Sequence, residues 1–158
     1  MPRSHLRGFT AVIAFASLAC GGSGGGLSSP TQSTPALTSS APLNLSGTWS
    51  GPASDSSGPG QMTWKITQEG ASFSGALTMI DMSTSLSGRG SVSGAVSGSS
   101  IQFSIRVPVA GFDSPYASCS TDVSGDGQAS TLSITGAYSG SNSCGGAIAS
   151  GQLTLSKQ

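Results

Sequence analysis

Charge is what this chain has least of. Of its 158 residues, six are Lys or Arg and six are Asp or Glu, 8% in all, and the formal net charge is zero. Two of the bases, Arg3 and Arg7, sit at the extreme N-terminus. The remainder of the chain is slightly acidic: Lys65, Arg89, Arg106 and Lys157 against Asp55, Glu69, Asp81, Asp113, Asp122 and Asp126. No basic patch exists to meet a phosphate backbone or an anionic bilayer face, so nucleic acid is excluded as a partner. Histidine is nearly absent too. The single one is His5, so neither a Ser-His-Asp nor a Cys-His arrangement can be assembled beyond it. A Ser-Lys pairing with Lys65 or Lys157 is formally open but uninformative among so many serines. A carboxylate pair such as Asp81 with Glu69 is open in the same formal sense, although the scattered acids read as solvated surface. The chain is therefore read as non-enzymatic and without a cofactor. Aromatic residues make up only 6%, too few for the lipid-facing band and girdles of a membrane-spanning barrel.

The first apolar run, residues 9–19, comes after Arg3 and Arg7 and is too short to cross a hydrocarbon core about 30 Å thick. A positive segment, a short apolar segment and small residues at a cleavage point mark an export signal. The stretch Ala16-Ser17-Leu18-Ala19-Cys20 resembles the lipobox of bacterial lipoproteins, departing from the commonest form at Ser17, with Leu18 one place later than usual. The resemblance implies cleavage before Cys20, lipid on its thiol, and membrane lipid as the first partner. Two or three acyl chains give lasting anchorage where one does not. Gly21, rather than Asp, is similar to the outer-membrane sorting pattern. The implied address is the cell envelope, at the outer membrane where the organism has one, with the domain in the periplasm or at the cell surface. Plain secretion after cleavage at Ala19 is the competing reading.

With residues 1–19 as signal and Cys20 lipidated, residues 20–43 form a tether rich in Gly, Ser and Pro. Pro30, Pro35 and Pro42 deny strand pairing there. Such a coil spans about 25–30 Å r.m.s.. Two cysteines remain, Cys119 and Cys144, and an even pair in an oxidising compartment reads as a disulfide. Closing that loop is worth roughly 3 kcal/mol. A two-cysteine metal site is the alternative.

From residue 44 apolar residues alternate with polar ones, as in Met62, Trp64, Ile66 and in Ile101, Phe103, Ile105, Val107. Period two is the signature of strands with one wet and one buried face. Turn residues divide residues 44–158 into eight strands, near 45–51, 61–68, 71–79, 88–97, 100–108, 116–124, 129–138 and 147–156. Reversals are expected at 54–60, at Glu69-Gly70, at 83–90, at 97–100, at 109–115, at Gly125-Asp126-Gly127 and at 139–146. Short loops favour sequential antiparallel neighbours. The fold class is all-β, a small antiparallel eight-stranded up-and-down barrel, with a two-sheet β-sandwich as the alternative. An echoed motif supports a repeated strand design: Leu45-Ser46-Gly47-Thr48-Trp49, Val92-Ser93-Gly94-Ala95-Val96 and Ile134-Thr135-Gly136-Ala137-Tyr138. The Gly47-Thr48-Trp49 start and hairpins of Ser-Gly-x-apolar form resemble the streptavidin/lipocalin type of barrel. That resemblance implies that Trp49 helps close or line one end and that the interior takes a small apolar molecule. With only Trp49 and Trp64 in the domain, the biotin site of that type is not expected.

Trp49, Trp64, Phe103 and Tyr138 are the candidate pocket wall, unless they are simply the core a small domain needs. Asp122-Val123-Ser124-Gly125-Asp126-Gly127 copies the first half of a calcium loop. It lacks the closing Glu, since Ser133 stands at the twelfth place. Asp122 and Asp126 are thus a weak metal candidate, and a β-turn explains them at less cost. Arg106 falls on the opposite face from Ile105 and Val107 and is expected to face water. Two functions stand open: a binding module for a small apolar ligand or an envelope protein, and a structural lipoprotein with a filled core.

Overall fold

The computed structural model describes residues 43–158; the expected signal, the expected tether up to residue 42 and Cys20 lie outside them. Eight strands succeed one another: β1 (Gly47–Asp55), β2 (Gly58–Glu69), β3 (Ser72–Asp81), β4 (Ser87–Ser97), β5 (Ser100–Val107), β6 (Thr121–Ala129), β7 (Ser133–Asn142) and β8 (Gly146–Lys157). Each pairs antiparallel with the next, and β8 returns to β1 through Trp49↔Lys157, Ser50↔Ser156, Ala53↔Leu153 and Ser54↔Gln152. The result is a closed up-and-down barrel, and closure leaves no sheet edge unpaired. The sandwich alternative is set aside by the β1–β8 ladder.

Period two decides which side chains go inside. In β5, Ile101, Phe103, Ile105 and Val107 are buried while Ser100, Gln102, Ser104 and Arg106 are exposed. Outside, the serines fall into register around the wall: Ser74↔Ser93, Ser93↔Ser104, Ser104↔Ser124 and Ser124↔Ser139. A polar exterior around an apolar core is the inverse of a lipid-facing barrel. Arg106 lies on this exterior, 3.6 Å from Asp122 and well exposed, where such a pair adds little stability.

The inward glycines leave less room than their number implies. Phe103 pairs with Gly94 on one side and Gly125 on the other. A Cβ at Gly125 would stand 2.7 Å from the Phe103 ring, and one at Gly94 would meet both the Phe73 ring and the Gln102 carbonyl. Aromatic rings lie over the bare backbone of neighbouring strands, which lets a narrow barrel coil tightly. Trp64 packs on Phe103 with ring centroids 5.2 Å apart and planes tilted by 59°.

One end of the barrel is plugged. Leu45 and Trp49 are fully buried there, the Trp49 indole Nε1–H donates to the Leu45 carbonyl at 2.7 Å, and Lys157 Nζ lies 5.2 Å from the Trp49 ring centre. Gln68 ties down the incoming chain: its Oε1 accepts from Leu45 N–H and its Nε2 donates to the Leu43 carbonyl.

Several strand boundaries differ from expectation. Two broad loops are tight hairpins: β1 and β2 run on to Asp55 and Gly58, and β7 and β8 to Asn142 and Gly146. More substantially, Gly125-Asp126-Gly127 is the middle of β6 rather than a reversal, and residues 116–120 belong to a long loop rather than to a strand. Gly125 and Gly127 face inward beneath neighbouring chains, so they make space and do not turn the strand. In β8 a bulge opposite Ser139 changes the inward phase from Ile148 to Gly151, Leu153 and Leu155, with Ser150 at φ 57°.

Candidate functional site: a cavity at the unplugged end

The end opposite Leu45 is built from the turns at 56–57, 82–86 and 143–145 and from the loop 108–120. That loop folds back over the rim. Gly111 C=O accepts from Arg89 N–H at 2.7 Å, and Phe112 bridges to Gly88. The Cys119–Cys144 disulfide joins the end of the loop to the β7–β8 turn, across 25 residues of chain. Ser120 and Ser143 reinforce it with two 2.9 Å hydrogen bonds, Ser120 N–H to Ser143 Oγ and Ser143 N–H to Ser120 C=O. The expected disulfide is thus present, and the metal alternative for these two cysteines lapses.

Beneath this rim lies a half-open cavity of about 270 Å³. Its apolar wall comes from Ala53, Met62, Met79, Leu86, Phe112 and Ile148, with Ile80 and Tyr116 at the lip. Four of the five exposed large apolar side chains of the described residues belong to this end: Ile80, Met82, Val109 and Tyr116. Apolar surface gathered at a concave mouth commonly marks a binding site.

Polar groups are few and mostly engaged. Tyr138, 5% exposed, donates its hydroxyl to Asp55 Oδ2 at 2.9 Å, and Asp55 Oδ1 accepts from Ser57 N–H at 2.7 Å. Burial first, and then the Asp55 carboxylate, push the Tyr138 phenol well above its ordinary value. Asn142 donates to the buried Thr121 Oγ1 at 2.8 Å and accepts from the backbone N–H groups of Cys144 and Gly145. Asp81 Oδ1 accepts from Ser83 and Thr84 N–H at 2.7 and 3.0 Å.

Of the four residues expected to form a pocket wall, only Tyr138 lines this cavity. Trp49, Trp64 and Phe103 are 0%, 0% and 3% exposed: Trp49 belongs to the plug, and Trp64 and Phe103 fill the core between it and the cavity. The reason is register: Trp49 faces Trp64 across β1 and β2, and Phe103 sits between two glycines, so large rings close the mid-section. Asp122 and Asp126 stand four residues apart on the outside of β6, about 13 Å along an extended strand. They cannot wrap one ion as successive ligands of a loop, and no cluster of three or more metal-binding side chains occurs among the described residues. Cys20 lies outside the described residues.

Sequence reasoning missed Asp55, Asp81, Phe112 and Tyr116. The first two had a signal, the inward phase of Trp49-Gly51-Ala53-Asp55 and Phe73-Gly75-Leu77-Met79-Asp81, continued past the expected strand ends. The loop residues had none.

The fold and site define a closed eight-stranded up-and-down barrel, plugged at one end and hollow at the other. Comparison of the chain with protein-family models, curated proteins and solved structures gives no match.

Proposed function

We propose that this protein is an envelope binding lipoprotein: lipid on Cys20 holds it at a membrane, and its barrel takes a small molecule with an apolar body into the end cavity. The observation that carries the reading is the cavity itself, about 270 Å³ with a mostly apolar wall. It is at the small end of ligand sites, which points to a compact ligand. Gln68 holds the chain where it enters the barrel, at the plugged end opposite the cavity. The reading is of binding without catalysis, because the domain has no histidine and its cavity carboxylates serve as hydrogen-bond acceptors.

A second reading is favoured by the packed mid-section: a structural or interaction lipoprotein that offers its surface to an envelope protein. One experiment separates the two. Small neutral and cationic aromatic compounds are screened by thermal shift against the protein purified from an exporting host and against Ala53→Leu, which fills the cavity. Saturable stabilisation of the parent, lost in Ala53→Leu, supports ligand binding. No stabilisation of either protein by any compound sinks it in favour of the surface reading. Intact mass of the exported protein, with Cys20→Ala as control, tests the anchor: the expected result is a diacylglyceryl adduct on the parent alone.

A further inference from the structure

Resting on the binding reading, we infer that the cavity selects a cationic ligand, an ammonium group carried on a compact apolar body. Two carboxylates, Asp55 and Asp81, line the cavity, and no Lys, Arg or His does. Both occupy the last inward position of their strands, where the apolar interior gives way to the rim. Between them β2 contributes Gly58 and Gly60, paired with Asp55 and Asp81 respectively, so no side chain separates the two acids. Two strand spacings across and two residues along place their Cα atoms on the order of 12 Å apart, a span that a small ligand can bridge.

The two acids are not equally occupied. Asp55 uses both oxygens, one for Ser57 N–H and one for the Tyr138 hydroxyl. Asp81 uses only Oδ1, for its own turn, and its Oδ2 accepts no hydrogen bond among the described residues. Asp81 Oδ2 is the acceptor left for a ligand N–H. The nearest basic side chain on this rim, Arg89, is outward on β4, 4.0 Å from Asp113 and 73% exposed, so it does not neutralise the interior. Around the acids stand the rings of Phe112, Tyr116 and Tyr138 and the thioethers of Met62 and Met79. Aromatic faces attract an ammonium group, and methionine packs adaptably against the body that carries it. A carboxylate-bearing amphiphile of the same size would meet two like charges in a partly desolvated site and be rejected.

Calorimetric titration of the protein with three molecules of one shape, 2-phenylethylammonium, 2-phenylethanol and phenylacetate, tests the inference. The ammonium should bind about tenfold more tightly than the alcohol, as a charge-assisted hydrogen bond in a half-open site allows, and phenylacetate should be weakest. Asp81→Asn keeps the turn acceptor while removing the charge. It should reduce the ammonium preference over the alcohol to about twofold or less, with far-UV circular dichroism reporting an intact fold. If the alcohol binds as well as the ammonium, the cavity stands as a ligand site and the charge selection is overturned. If none of the three binds, the binding reading fails and the inference falls with it.

Discussion

Replacing Cys119 and Cys144 together with Ala should destabilise the domain by about 3.5–4.5 kcal/mol while leaving its native structure in place. The bridge spans 25 residues, for which loop-closure entropy gives about 3.5 kcal/mol, nearly all of it acting on the unfolded chain. The folded loop does not depend on the bridge alone. Ser120 and Ser143 exchange two hydrogen bonds beside it, Gly111 accepts from Arg89, and Asp113 N–H donates to Ser87 C=O. Cys119 is 3% exposed, so losing its sulfur adds a packing cost of up to about 1 kcal/mol. For a domain of this size 1 kcal/mol corresponds to roughly 4 °C, so the melting temperature should fall by about 14–18 °C. Reversible urea unfolding of the oxidised parent and the Ala/Ala variant measures the difference, and the parent under reductant should behave as the variant does. A loss below about 1 kcal/mol would refute the argument: the denatured chain would then already be as restricted without the bridge as with it.

Two further outcomes test the interior. Gly94→Ala should cost about 2 kcal/mol or more, because its Cβ collides with the Gln102 carbonyl and the Phe73 ring, whereas Gly98→Ala, in an open turn at φ 60°, should cost only about 1 kcal/mol; equal losses in chemical denaturation would contradict the tight coiling. The Tyr138 phenol is raised in the folded state above its ordinary value of 10.0, so the unfolded chain releases that proton first. Stability from this group is complete below pH 10 and is lost as pH rises above it, at no more than about 1.4 kcal/mol per pH unit. Urea titrations between pH 8 and 11 should show that slope in the parent and not in Tyr138→Phe.

Much of the barrel could be read from alternation alone. Side chains at i and i+2 must share a face of a strand, so Ile101-Phe103-Ile105-Val107 announced both a strand and its inner side. Eight such runs with short turns and nowhere to hide an edge led to closure. The sequence could likewise supply the cysteine pair, since only Cys119 and Cys144 lie in the domain. Local signals misled where glycine had a tertiary purpose: Gly125 and Gly127 look like a turn until the Phe103 ring and the β7 backbone occupy the space beside them. They misled again at Asp55, where an acid between two serines suggested a loop, and at Asp81, two residues past the expected strand end, although the inward phase ran on unbroken in both.

The inside and outside of each strand follow from residue order alone, because they arise from a covalent period of two. Which end is plugged and which is hollow was decided only in three dimensions. The partnering of β1 with β8, the seating of Trp49 against Trp64 and of Phe103 between Gly94 and Gly125, and the fold-back of Phe112 and Tyr116 over the rim join residues far apart in the chain. The cavity is the volume those long-range contacts leave unfilled, and no local pattern of residues encodes it.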